Sequence, residues 1–236
     1  MVDLPVLDGG RTRSVTDQIF DLLYDRVVNL TLPPGAKLSE AEVAAQMGVS
    51  RQPVRDAFYR LSQLGFIEIR PQRATIVTPI SEEAVLQAYF IRAALEESCM
   101  RVAVDRLTND QFDRLDRLIE LQAREIQAKD TARFHALDDQ FHHDICTFAG
   151  LEFVWTLVKD NKGHMDRARY LSLSYGAETA FAEHRRILDS LRRRDADPFE
   201  APRLLRRRAG AVAAGALALA GWQYGAWRAR CRARGR

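Results

Sequence analysis

The chain has 236 residues, 47% of them hydrophobic and 28% charged, which excludes a disordered or fibrous protein and allows one large domain or two modest ones. Its three cysteines, Cys99, Cys146 and Cys231, are odd in number and far apart, which argues against a disulfide framework or a Cys-rich zinc site and predicts a reducing, cytoplasmic setting. The net charge of +3 is no evidence for nucleic acid: residues 1–80 carry 9 basic and 9 acidic groups, residues 81–200 carry 17 and 23, and the last 36 carry 9 arginines and no acid.

Residues 1–13 read as a flexible arm without the apolar run of a secretory signal. From Val15 to Leu30, apolar residues recur at helical spacing, with Ser14 as N-cap. "TLPPGAKLS" breaks that helix. Ser39 then caps a short helix, Glu40–Met47, and Gly48 turns the chain. Ser50 caps a third helix that starts at Arg51, with Pro53 in its first turn and Gly65 at its end. Its apolar residues are Val54, Phe58, Leu61 and Leu64, and Arg51, Arg55 and Arg60 make the other face positive. "FIEIRPQRATIVTPI" predicts two short strands around an arginine-bearing tip.

Helix, helix, turn, helix, hairpin is the order of a winged helix-turn-helix over residues 14–80. Such a head sets the start of its second motif helix against base edges in the major groove. Arginine bridges guanine O6 and N7, and Ser or Gln reaches bases or phosphates. Ser50, Arg51, Gln52 and Arg55 hold those places. Ser39 and Glu40 on the preceding helix, and Arg70, Gln72, Arg73 and Thr75 around the hairpin tip, complete the expected DNA-facing set.

Beyond Pro79 and Ser81 the pattern is helical throughout: 82–104, 109–128, 131–149, 151–173 and 178–194, an all-α domain over 81–200. In "TARFHALDDQFHHDICTFA", Asp138/His142 and Asp139/His143 are both i, i+4 pairs. Phe134, Leu137, Phe141, Ile145 and Phe148 mark the apolar side. The helical wheel puts Asp138 and His142 at its border, and Asp139 and His143 toward water. His184 falls within the apolar arc of Phe181, Ile187, Leu188 and Leu191, and His164 also points inward. Three inward histidines and an aspartate in one bundle can meet around a divalent metal, with Zn, Ni and Mn all suited to such donors. Arg92, near a core face, needs an anion, which is either Glu96 or the carboxylate of a bound small acid. Arg169 is a second arginine of that kind.

Residues 201–236 differ in kind, being mostly Ala, Gly and Arg. Ala209 to Trp227 has the length of a membrane span, but Ala and Gly are weakly apolar, so no membrane partner is expected. With 4 Lys against 31 Arg the gene is GC-rich, and such strings arise when it is read out of frame; the expectation is a lost frame near 198–205.

"KLSEAEVAAQMGVSRQPVRDAFYRLSQLGFIEIRPQRATIV" resembles the winged-helix domain of the GntR family of bacterial transcription regulators. The second helix of the head, the one before the base-reading helix, lacks the early basic residue common there, reading Ser39–Glu40–Ala41, and Ala74 follows Arg73 where glycine is common. "RAALEES", "LDDQFHHDICTFAG" and "EHRRILDSLRRRDAD" resemble the all-helical FCD-type domain of the FadR subgroup. The resemblance implies a homodimer on double-stranded operator DNA, controlled by a small carboxylate effector beside a divalent metal. It assigns three of four metal ligands to Asp138, His142 and His184. The fourth, a His on a last helix around 200–220, has no counterpart. His164 or water is the substitute, and His164 joins Arg92 and Arg169 as an effector contact. Two alternatives stand beside this reading: a metal-dependent enzyme in the bundle, and a regulator with a defective sensor.

Overall fold

The computed structural model describes residues 13–70, 74–171 and 176–194. The arm, the tip residues Gln72 and Arg73, and the whole 201–236 tail therefore lie outside the described residues. The chain divides into two compact units, Met1–Pro79 and Ile80–Arg236.

In the first unit, α1 (Val15–Val28) starts at Ser14, whose hydroxyl accepts from the Asp17 amide at 3.1 Å. It ends two residues before the sequence reading, because Leu30 takes a left-handed φ of 63°. Strand β1 (Lys37–Leu38) precedes α2 (Glu40–Met47), which Ser39 caps through the Glu42 amide. Gly48 has φ 64°, a conformation that disfavours any side chain, and turns the chain into α3 (Arg51–Gln63). Ser50 is the N-cap of α3 by position, but its hydroxyl makes no capping bond.

Strands β2 (Ile67–Glu68) and β3 (Thr75–Val77) form the expected hairpin, and β1 adds to it antiparallel, in the order β1-β3-β2. β1 was missed because two residues are too short to show a period. Val54, Phe58 and Leu61 of α3 are fully buried with Ile19 and Val27 of α1. Leu64, expected on that face, is 41% exposed at the helix end, and Ala57 takes the inner place.

The second unit is all helical among the described residues: α4 (Glu82–Arg106), α5 (Asn109–Ala128), α6 (Thr131–Phe148), α7 (Glu152–Asn161), α8 (Gly163–Leu171) and α9 (Ala177–Arg192). The single helix expected over 151–173 is two. Asn161 and Gly163, both poor helix formers, flank the break at Lys162. The break is compensated by Lys162, whose ammonium bonds Asp139 and Asp166. α4 packs against α6, α7, α8 and α9, while α5 covers α6 and α9. Met100, Leu115, Phe141, Ile145, Ile187 and Leu191 form the centre of the core. Among the described residues no helix is long and apolar enough to cross a membrane.

Candidate functional site

Two regions gather the residues singled out from the sequence. The first is the exposed start of α3. Arg51, Gln52 and Arg55 stand in solvent there, beside the exposed Ser50. Glu40 is paired with two of them. Its carboxylate accepts from Arg55 Nε at 3.3 Å and lies 3.8 Å from Arg51 Nη2. A carboxylate placed so repels phosphate but holds the two arginines over the helix start. Gln52 donates to Asp56 at 2.9 Å. Arg60 turns the other way, bonding Asp17 and lying 4.1 Å from the Phe20 ring, so it ties α3 to α1. Ser39 spends its hydroxyl on the α2 cap. Arg70 is half-buried and bonded to Glu68, and Thr75 is buried on β3 opposite Leu38.

The second region lies inside the helical unit. Asp138, His142 and His184 are 1%, 2% and 1% exposed. One donor atom from each lies within 4.8 Å of the others. His142 Nε2 and His184 Nε2 are 3.2 Å apart, and His184 Nε2 is 3.3 Å from Asp138 Oδ1. Gln122 donates its amide to the Leu137 carbonyl at 3.2 Å, which turns Oε1 toward His184 Nδ1 at 2.7 Å. His142 Nδ1 sits 3.1 Å from Glu96 Oε2, at ion-pair distance but without hydrogen-bond geometry. An acceptor beside each Nδ1 favours the proton there, which leaves both Nε2 lone pairs facing inward.

Two lone pairs at that distance repel unless a proton or a cation lies between them. Two donors about 2.1 Å from one ion stand roughly 3.0–3.4 Å apart at octahedral or tetrahedral angles, so the spacing fits a divalent ion. A carboxylate or amide on the outer nitrogen of each histidine is the usual support of such a site. Asp138 offers one oxygen to the centre, while its other takes Arg169 Nη2 at 2.9 Å and Arg92 Nη2 at 3.3 Å.

Charge is balanced locally. Burial alone would raise the Asp138 carboxyl, but Arg169, His184 and Arg92 hold it well below the usual range. Burial would likewise raise Glu96, but Arg92 and His142 bring it down to about 2. Arg92 Nε donates to Glu96 Oε1 at 2.7 Å, so the sequence alternative in which Glu96 pairs with Arg92 holds here. Arg92 Nη1 faces the sulfur of Met165 at 4.0 Å, a weak acceptor. Arg169 also reaches Asp139, Asp166 and His135.

His164 is half-buried on α8 and is not among the three converging donors. Asp139 and His143 are about one-third accessible rather than turned to water, because α7 and α8 cover that side of α6. Gln122 was missed by sequence reading. Its signal was a polar residue on the buried stripe Phe112, Leu115, Leu118.

A winged-helix head and an all-helical domain with a buried polar centre, in one chain, define a DNA-binding transcription regulator. Comparison with known proteins narrows the class. The family model for bacterial regulatory proteins of the gntR family matches residues 15–77, and that for the FCD domain matches residues 87–206. The chain is 36% identical over 191 residues to the HTH-type transcriptional repressor RspR of Escherichia coli (strain K12), covering 80% of this chain and 84% of that one. A solved structure of a putative GntR transcriptional regulator from Rhodococcus sp. RHA1 is similar, with a TM-score of 0.67 at 21% identity over 87% of this chain and 99% of that one. E. coli McbR/YncC is similar too, with a TM-score of 0.63 at 21% identity over 90% and 100%. The chain belongs to the GntR family, in its FadR-like, FCD-containing subgroup. The family consists of transcription regulators and not enzymes, so the reading of a metal-dependent enzyme has no support.

Proposed function

We propose that this regulator binds operator DNA as a cytoplasmic homodimer through residues 14–80, and that a small carboxylate held beside a divalent metal in residues 81–200 controls that binding. The observation that carries the reading is the convergence of His142 Nε2, His184 Nε2 and Asp138 Oδ1, with Gln122 bonded to the outer nitrogen of His184 and the Glu96 carboxylate beside that of His142.

Asp138, His142 and His184 would hold the ion; Zn, Ni and Mn all suit the set. A bound ion supplies a Lewis-acidic anchor for the oxygens of an organic acid. The protein does the rest. Gln122 and Glu96 fix the two imidazoles, and Arg169 and Arg92 hold Asp138 so that one oxygen faces the centre. Arg92 Nη1, facing only a thioether among its hydrogen-bond contacts here, is the donor a ligand carboxylate would take. Arg169 and His164 are further effector contacts in this reading. Three protein donors leave coordination positions for the acid.

Control requires that the acid bind two arrangements of the dimer with different affinity. Dimerisation is supported by the two-fold symmetry that helix-turn-helix operators share with their proteins. It is also supported by a shallow apolar groove of about 800 Å³ along the start of α4, lined by Leu86, Phe90 and Ile91.

The test is the metal content of the purified full chain beside its His142→Ala and His184→Ala variants. The expected result is near one ion per chain, absent in both variants. Metal-free wild type after growth and refolding with Zn, Ni and Mn would overturn the metal part. Gln122→Leu supplies a finer check. It keeps the volume, removes the acceptor for His184 Nδ1, and is expected to weaken metal binding about 10- to 100-fold in a chelator competition.

A further inference from the structure

α4 and α6 run side by side in parallel register. Arg92 meets Asp138, Glu96 meets His142, and Arg106 donates to the Ala149 carbonyl at 2.9 Å. Cys99 lies three residues beyond Glu96 and Cys146 four beyond His142, so each sits one turn further along the same face. The register thus brings the two thiols together. Both are buried, at 0% and 1% exposure, in a small apolar cluster with Val154 and Val158. Their proximity sets the two thiols apart, lowering that of Cys99 and raising that of Cys146.

We propose that Cys99 and Cys146 are a peroxide-sensitive dithiol that closes into a disulfide pinning α4 to α6. Cys99 is the attacking sulfur, since its thiol is the one made more acidic. Its thiolate attacks one oxygen of hydrogen peroxide and breaks the O–O bond, giving Cys99 sulfenic acid and, with a proton, water. Cys146 sulfur then attacks the sulfenic sulfur. The S–OH bond breaks, the hydroxide takes the Cys146 proton, and a second water leaves. Two thiols and one peroxide become one disulfide and two waters. Burial makes the reaction slow and keeps larger oxidants out. The cross-link falls one turn from Glu96 and His142, so oxidation acts on the helix pair that frames the polar centre.

The test uses the full chain carrying Cys231→Ser, so that Cys99 and Cys146 are its two remaining cysteines. It is treated with hydrogen peroxide, denatured, alkylated and digested. The expected product is one chain two hydrogens lighter, with the Cys99 and Cys146 peptides joined and released by dithiothreitol. In a companion Cys146→Ala variant, Cys99 is expected to stop at the sulfenic acid and to be trapped by dimedone. Two thiols that still alkylate after treatment, or that end as separate sulfinic acids or cross-links between chains, would overturn the proposal.

Discussion

Asp138→Ala is expected to lower the stability of the helical unit by roughly 3–5 kcal/mol, as a fall in its denaturant midpoint, and to abolish metal binding. The side chain is 1% exposed and anchors two guanidinium groups that are themselves buried. Removing it leaves one face of Arg92 and of Arg169 without its anion, and the cost is that of stranded buried charge. Asp138→Asn should cost less, because the amide oxygen still accepts from Arg169. The same centre sets the acid limb of stability. Glu96 lies at about 2 in the folded chain against an ordinary 4.5. A depressed carboxyl stabilises fully above its unfolded value and loses that contribution as pH falls through its folded value. The unit should therefore weaken between about pH 4.5 and pH 2. Thermal melts across that range should show a shallower loss in Glu96→Gln than in wild type. Equal slopes would remove Glu96 as a source of acid sensitivity.

Arg55→Ala is expected to weaken binding to a duplex selected from a random pool by about 10- to 100-fold, the equivalent of ~1–3 kcal/mol for one bidentate base contact. Its guanidinium is 57% exposed and held from behind by Glu40 rather than by a core partner. Its contact within the head is the surface ion pair with Glu40, which contributes little to stability, so a thermal melt unchanged from wild type is expected beside the lost affinity. Arg55→Lys should not rescue, since an ammonium lacks the planar fork. Arg51→Ala, tested beside it, separates base from phosphate. A base contact costs affinity mainly at one position of the site, whereas a phosphate contact costs it evenly across sequences and flattens the salt dependence. Unchanged affinity in both variants would move the DNA face away from α3.

Much of this was legible in the sequence because the signals are local. The caps at Ser14 and Ser39, the Gly48 turn and the α3 periodicity each live within a few residues. Helical geometry put Asp138, His142, His164 and His184 on inner faces, and the resemblance to the FCD-type domain singled out Asp138, His142 and His184. What the sequence hid was what depends on distant segments. The Glu96–His142 and Gln122–His184 contacts join helices far apart in the chain. The Glu40–Arg55 bond was hidden in the same way, since it joins α2 to α3 across 15 residues. The Lys162 break escaped because Asn161 and Gly163 are weak breakers, and the ion pairs that stabilise the broken form lie on α6 and α8.

The central claim is that the buried centre governs DNA binding. The most direct measurement is the affinity of the full chain for its selected duplex in chelator, in metal, and in metal with each of a panel of small hydroxy and keto acids. His142→Ala and His184→Ala are run in parallel. At least one acid, only with metal present, is expected to shift wild-type affinity by about 5- to 150-fold, with both variants indifferent. The same affinity under every condition, or an acid response that survives in both variants, would contradict it.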